Sequence, residues 1–299
     1  MPTFGSPRAI CLHGFPDGPE TFGPLRTALE AAGVRTFAPH LPGHRGEDAQ
    51  AFLRATNELG AIPAALRALA EVCEPFIAED GPVHLIGHDW GAVLGYALVS
   101  RSLRSDAHHL DYRVSRFSRR LSSFTALAIP PLVAPVHAAL NHPGALARFD
   151  YLAAFQLPLV PERLVASPAF LAALTRRWSP GFTLPNDVTE GVTRRYRDPA
   201  VRSAVLAYYR ALSPRPTRPR EVLTTWRLFS GPPTVPTLVI RGDRDGCFVP
   251  EVFPGLVARA AALAAPQATV ELVTTASGHF PQLEATDAVA QAWLAQLAG

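Results

Sequence analysis

A carboxylate at the apex of a glycine-flanked turn is the first feature of this chain with the makings of chemistry. In residues 82 to 96, PVHLIGHDWGAVLGY, a short apolar run from Pro82 to Ile86 leads into Gly87, Asp89 and Gly91, then into the small and branched residues of Ala92 to Leu98. The pattern predicts a buried strand, a very tight turn and a packed helix. Glycines two residues either side of Asp89 permit a turn too sharp for a Cβ, which throws the central side chain out beyond the sheet edge. A carboxylate so placed is a nucleophile or a helix N-cap, since Asp is among the best residues for satisfying free amides at a helix start. A nucleophile needs partners: a histidine as base and an acid to orient it. Asp245, in GDRDGCF at 242–248, and His279, in SGH at 277–279, are the candidates. Taken singly, Asp245 also reads as a turn residue and His279 as a surface loop residue.

The surrounding elements must bring these residues together. Arg8 to Leu12 reads as a strand that runs into the loop His13-Gly14-Phe15-Pro16. A helix from Glu20 to Ala32 closes at Gly33, and Val34 to Ala38 is a second strand. Residues 39–50 have loop composition, and a helix from Pro63 to Glu79 places Leu66, Leu69, Val72 and Phe76 on one face. Arg101 to Arg120 is polar and basic and reads as an insertion before a strand at Phe124 to Ile129. From residue 130 to about 225 helical patterns broken by prolines replace the strand-helix rhythm, as in a lid. The rhythm resumes with strands at Thr237 to Arg241 and Thr269 to Val273, and helices at Glu251 to Ala264 and Asp287 to Leu297. The expected architecture is α/β, a mostly parallel doubly wound sheet of about six strands in the order 2-1-3-4-5-6. Residues 1–129 and 226–299 would form the core, and 130–225 a helical cap. The loops carrying HGFP, Asp89, Asp245 and His279 follow the first, third, fifth and sixth strands, at the carboxyl edge where such sheets bind ligands.

Composition narrows the classes. The chain has 299 residues, 48% of them hydrophobic, enough for one large elaborated domain. The start MPTFGSPRAI lacks the charged head and apolar stretch of a signal peptide, and no run approaches the roughly 18 apolar residues of a membrane span. The expectation is a cytoplasmic protein, monomer or homodimer, without a membrane partner. Cys11, Cys73 and Cys247 are scattered and read as reduced thiols, and the histidines show no metal-ligand spacing. No metal or cofactor is implied. The net charge of +3 is carried by arginine in a chain without lysine. Its arginine clusters lack the interleaved aromatics of a stacking platform, so no nucleic-acid partner is expected.

Together, HGFP at 13–16, GHDWG at 87–91, GDRDGCF at 242–248 and SGH at 277–279, in that order, resemble the α/β-hydrolase fold and within it the epoxide hydrolase branch. The resemblance implies that Asp89 attacks an sp3 carbon of a small lipophilic epoxide, leaving an alkyl ester that water then hydrolyses to a diol. His279 would be the base for water and Asp245 its orienting acid. Backbone amides of Phe15 and Trp90 would hold the oxyanion, with both side chains lining the substrate site. The family also uses two cap tyrosines as donors to the epoxide oxygen. Tyr151 in FDYLAAFQLP and Tyr209 in LAYYRAL match those positions, with Tyr208 and Tyr196 as alternatives. A haloalkane or haloacid dehalogenase shares the Asp nucleophile, and Trp90 would suit a halide. Against it, Phe15 stands where haloalkane dehalogenases carry Asn, and Trp90 where fluoroacetate dehalogenases carry Arg. A catalytically silent ligand-binding member of the fold is the third reading. One departure from the family pattern is an expected absence of the antiparallel hairpin that usually precedes the HGFP strand.

Overall fold

The computed structural model describes residues 6–105, 111–133, 148, 150–213 and 219–298. Its strands are β1 (Arg8–Leu12), β2 (Arg35–Phe37), β3 (Val83–His88), β4 (Leu121–Leu127), β5 (Thr237–Gly242) and β6 (Val270–Thr275). They form one sheet in the order β2-β1-β3-β4-β5-β6, and every pairing is parallel. The strand order is the expected one. Of the N-terminal segment in which a hairpin was not expected, residues 1–5 lie outside the described residues, as do 134–147 of the expected cap.

Both faces of the sheet are covered, and β1 shows how the pleat divides them. Ala9 and Cys11 enter an apolar cluster with Phe22, Leu25, Leu29 and Trp293, while Ile10 and Leu12 enter another with Leu66, Leu69 and Leu94. The first four helices are α1 (Gly23–Ala31), α2 (Gly46–Leu59), α3 (Ala61–Ala78) and α4 (Trp90–Val99). α1 and the helix Thr286–Ala298 supply the first cluster; α3 and α4 supply the second. α4 is apolar nearly all round, as a helix wedged between the sheet and other helices must be. The carboxyl end of α3 is closed by arginines. Arg8 donates to the carbonyls of Phe76, Glu79 and Gly81, and Arg120 to those of Ile77, Glu79 and Gly81. Guanidinium groups satisfy the last carbonyls and complement the negative helix end, just before the chain turns into β3.

Three local expectations are corrected, and the 101–120 stretch gains detail. Residues 46–50 are not loop, because α2 begins at Gly46, where the Asp48 carboxylate accepts from the Arg45 amide at 3.2 Å. Val72 is 48% exposed, and Cys73 takes its place in the buried stripe of α3 with Leu66, Leu69 and Ile77. The 101–120 stretch includes the helices Arg101–Ser105 and Tyr112–Arg120, the second burying Val114 and Phe117. The first helical stretch is divided into a 3-10 turn, Pro19–Phe22, and α1.

Between β4 and β5 the described residues form helices and no strand, including Pro168–Trp178, Asn186–Arg195 and Pro199–Arg210. Ser167 and Asp198 cap two of them, accepting from the amides of Phe170 and Ala200, with proline in each first turn. Their aromatic residues reach down to the sheet edge: the rings of Phe155, Trp178, Tyr196 and Tyr209 all pack around Phe15. Among the described residues no helix is long and apolar enough to cross a membrane.

Candidate active site

Asp89 occupies a turn that its neighbours force to be tight. A side chain at Gly91 would run into the Leu12 carbonyl, and one at Gly87 into the Gly91 backbone. The turn leaves Asp89 at φ 49° and ψ −118°, a conformation that costs a non-glycine residue about 1–3 kcal/mol. Asp89 stands at the N-cap position of α4, yet its side chain makes no capping hydrogen bond. Instead Oδ1 accepts from the Phe15 amide at 2.8 Å, across from the loop after β1. Trp90 is the first residue of α4, so its amide lies in the turn that has no intrahelical acceptor.

Asp245 and His279 converge on the same place from the loops after β5 and β6. His279 Nδ1 is 3.0 Å from Asp245 Oδ2, while Asp245 Oδ1 accepts from the amides of Cys247 at 2.7 Å and Phe248 at 3.2 Å. With Nδ1 turned to the carboxylate, Nε2 faces Asp89 Oδ2 at 3.7 Å, beyond hydrogen-bond length. Nε2 has no hydrogen-bond partner. Burial opposes charge on His279, but the Asp245 charge and hydrogen bond, reinforced by Asp89, outweigh it and raise its pKa to about 10.

Tyr209 is buried with its ring edge-on to Trp90 at 5.1 Å and to Phe15 at 5.5 Å, and its hydroxyl has no hydrogen-bond partner. Tyr151 packs edge-on against Tyr209 at 6.1 Å, with its hydroxyl 3.8 Å from Cys247 Sγ. Burial drives both phenols well above their ordinary pKa, and the nearby Asp89 charge adds to it. Both are therefore neutral donors at rest. The two tyrosine segments are tied together: Gln156 Nε2 donates to the Tyr209 carbonyl and Arg210 Nε to that of Phe155. Tyr208 is turned away, its hydroxyl committed to the Pro42 carbonyl at 2.8 Å. Tyr196 stacks on Phe15 at 6.0 Å, buried and with an unpartnered hydroxyl, so it belongs to the same aromatic wall.

Two further residues, absent from the sequence reading, hold the His279 loop. Ser179 Oγ accepts from the His279 amide at 2.7 Å and lies 2.8 Å from Glu284 Oε1. Glu284 also accepts from the amides of Gly278 and Phe280. Ser179 follows the helix Pro168–Trp178, and the Trp178 carbonyl accepts from the Gly246 amide at 2.9 Å. Helical block and sheet-edge loops are thus joined directly beside Asp245 and His279. Among the described residues no group of His, Cys, Asp and Glu is placed to hold a metal ion.

Comparison with known proteins gives the following. A model of the alpha/beta hydrolase family matches residues 9–292. Epoxide hydrolase 3 of Xenopus tropicalis is 28% identical over 165 residues, covering 54% of this chain and 38% of that protein. The match thus spans well under half the length of this relative. A variant of a Pseudomonas aeruginosa protein, provisionally named an epoxide hydrolase, superposes with TM-score 0.70 at 23% identity, covering 98% of this chain and 90% of the other. A haloalkane dehalogenase loop variant from Bradyrhizobium elkanii superposes with TM-score 0.65 at 18% identity, covering 99% and 90%. At these identities the structural likeness establishes the fold.

Proposed function

The chain belongs to the alpha/beta hydrolase family, and from that premise we propose that it opens a small lipophilic epoxide to a vicinal diol through an ester on Asp89. The observation that carries the proposal is the pairing of a carboxylate at the elbow apex with buried, neutral phenols beside it. Oδ1 of Asp89 is already hydrogen-bonded to the Phe15 amide, so Oδ2 is the attacking atom. It bonds to an epoxide carbon as the ring C–O bond breaks, and Tyr209 or Tyr151 gives a proton to the leaving oxygen. Asp89 loses its charge on becoming an ester. That removes one of the groups holding the proton on His279, which can then restore the phenol through solvent and stand as a neutral base. Water attacks the Asp89 carbonyl carbon as His279 Nε2 takes its proton, and the oxyanion at Oδ1 rests on the Phe15 and Trp90 amides. Collapse expels the diol oxygen, which is protonated by His279. Asp89 then returns its acidic proton to the imidazole, and one water has been consumed per epoxide.

The test is a single-turnover reaction with styrene oxide in oxygen-18 water, followed by mass spectrometry of the peptide bearing Asp89. The expected result is one labelled oxygen in Asp89. Labelled diol with an unlabelled Asp89 rejects the ester route, and halide release from alkyl halides with no diol from any epoxide moves the assignment to the dehalogenase reading.

A further inference from the structure

Asp17 lies fully buried beneath the loop that carries Phe15, and both of its oxygens are engaged. Oδ1 accepts from the Gly14 amide at 2.7 Å and faces His13 Nδ1 at 3.2 Å. Oδ2 is 3.0 Å from Nδ1 of His88 and 3.4 Å from the Thr21 hydroxyl. His88 ends β3, immediately before Asp89, and it too is fully buried. Its second nitrogen, Nε2, is 2.8 Å from the main-chain carbonyl oxygen of His279. A carbonyl oxygen can only accept, so Nε2 bears a proton. Asp17 is ionised: burial pushes its carboxyl up, but hydrogen bonds from His13 and His88 outweigh that and hold it well below the usual carboxylate range.

His13 Nε2 receives the Leu41 amide at 2.9 Å and is therefore bare. His44, edge-on to His13 at 4.9 Å, is kept neutral by burial, and burial pushes His40 down to about 4. The other titratable or charged groups around the pair are His279, Tyr196 and Arg195, whose guanidinium reaches the Asp17 main-chain carbonyl at 3.4 Å.

We propose that Asp17 and His88 are a second positioning pair behind the site, gripping the Phe15 loop through the Gly14 amide and the His279 main chain through its carbonyl. The catalytic role rests on the function proposed above; the hydrogen-bonded arrangement does not. His279 is then fixed from three sides: Asp245 orients its ring, Ser179 holds its amide and His88 its carbonyl.

The experiment has two parts read on the resting protein, so that failure of the epoxide reading leaves them interpretable. In protein labelled with 15N-histidine, with His88 assigned by loss of its signals in His88→Gln, the His88 Nε2 proton should be present and protected from exchange, as a donor to the His279 carbonyl. A bare Nε2, or a proton there that exchanges freely, overturns the proposal. Thermal unfolding of Asp17→Asn, His88→Gln and the double variant should be strongly non-additive. Each single change leaves a buried polar group without its partner, so the double variant should have a higher Tm than the less stable single one; additive losses overturn it. For the positioning role, Asp17→Asn should lower kcat on styrene oxide about a hundredfold with KM within a few-fold, because only the geometry of the reacting groups is lost. An unchanged kcat removes that role.

Discussion

The two walls of the site are built by different means. On the sheet side Asp89, Asp245 and His279 are each fixed by hydrogen bonds: the Phe15 amide to Asp89, the Cys247 and Phe248 amides to Asp245, the His279 amide to Ser179 and His88 to the His279 carbonyl. On the helical side Tyr151, Tyr196 and Tyr209 are placed by ring edges and faces, and the hydroxyls of Tyr196 and Tyr209 have no partner. Directional bonds hold an atom to the tolerance that bond formation demands. Ring packing holds a side chain as firmly in bulk while leaving its polar end unused, and an unsatisfied buried hydroxyl costs about 1–3 kcal/mol. The contrast teaches that the carboxylates and the imidazole are oriented by directional bonds, with only His279 Nε2 among them left unpartnered, whereas the helical side is held by packing and keeps the Tyr196 and Tyr209 hydroxyls in reserve.

The comparison can be broken most severely at its centre. Asp89→Ala should lower turnover on the order of a millionfold with the fold retained, and His279→Gln should accumulate the alkyl-enzyme, seen as a mass shift on Asp89. An adduct on any other residue separates the sheet-side geometry from the chemistry. Next, Tyr151→Phe plus Tyr209→Phe should slow epoxide opening about a thousandfold, each single change far less, measured as the pre-steady-state rate of ester formation. A double variant of near-normal rate shows that the reserved donors are not used, with Tyr196 then the hydroxyl to replace. A smaller effect is expected from Ser179→Ala, which removes the acceptor of the His279 amide: kcat should fall about tenfold and Tm by a few degrees, with KM unchanged. Last is the pH dependence of stability. His279 is raised from 6.5 to about 10, so its stabilising contribution is complete below 6.5 and is lost as pH rises through about 10. The Tm advantage of the wild type over His279→Gln should accordingly shrink across that interval in a thermal scan series.

The sheet side was also the more legible in sequence, and for a related reason. Strands buried on both faces must be short apolar runs, and a turn with no room for Cβ atoms must carry Gly87 and Gly91 at fixed offsets. Such constraints are local. α2 escaped because it buries only Ala49 and Phe52 along a polar sequence, and so resembles loop. Val72 was placed inward because one step along a helix turns a side chain by about 100°, little enough for Cys73 and Val72 to be confused by spacing alone. Asp17, His88, Ser179 and Glu284 left no periodic trace, since their partners lie as far as 191 residues away. Asp17 did offer one signal: a carboxylate four residues after His13 in an otherwise apolar loop.

Burial of the thiols has a consequence for a protein proposed to handle electrophiles. Cys11, Cys73 and Cys247 are all free and buried, and burial raises their pKa, Cys11 to about 12. The sequence contains no lysine, and of the described histidines only His40 is not buried. Soft nucleophiles are therefore scarce on the described surface, and arginine, the residue that carries the positive charge instead, alkylates poorly because its guanidinium stays protonated. If the substrate is the epoxide proposed above, the described surface offers that reactive ring few thiols, amines or imidazoles to modify, a form of self-protection that would let the protein work in substrate concentrations damaging to its neighbours.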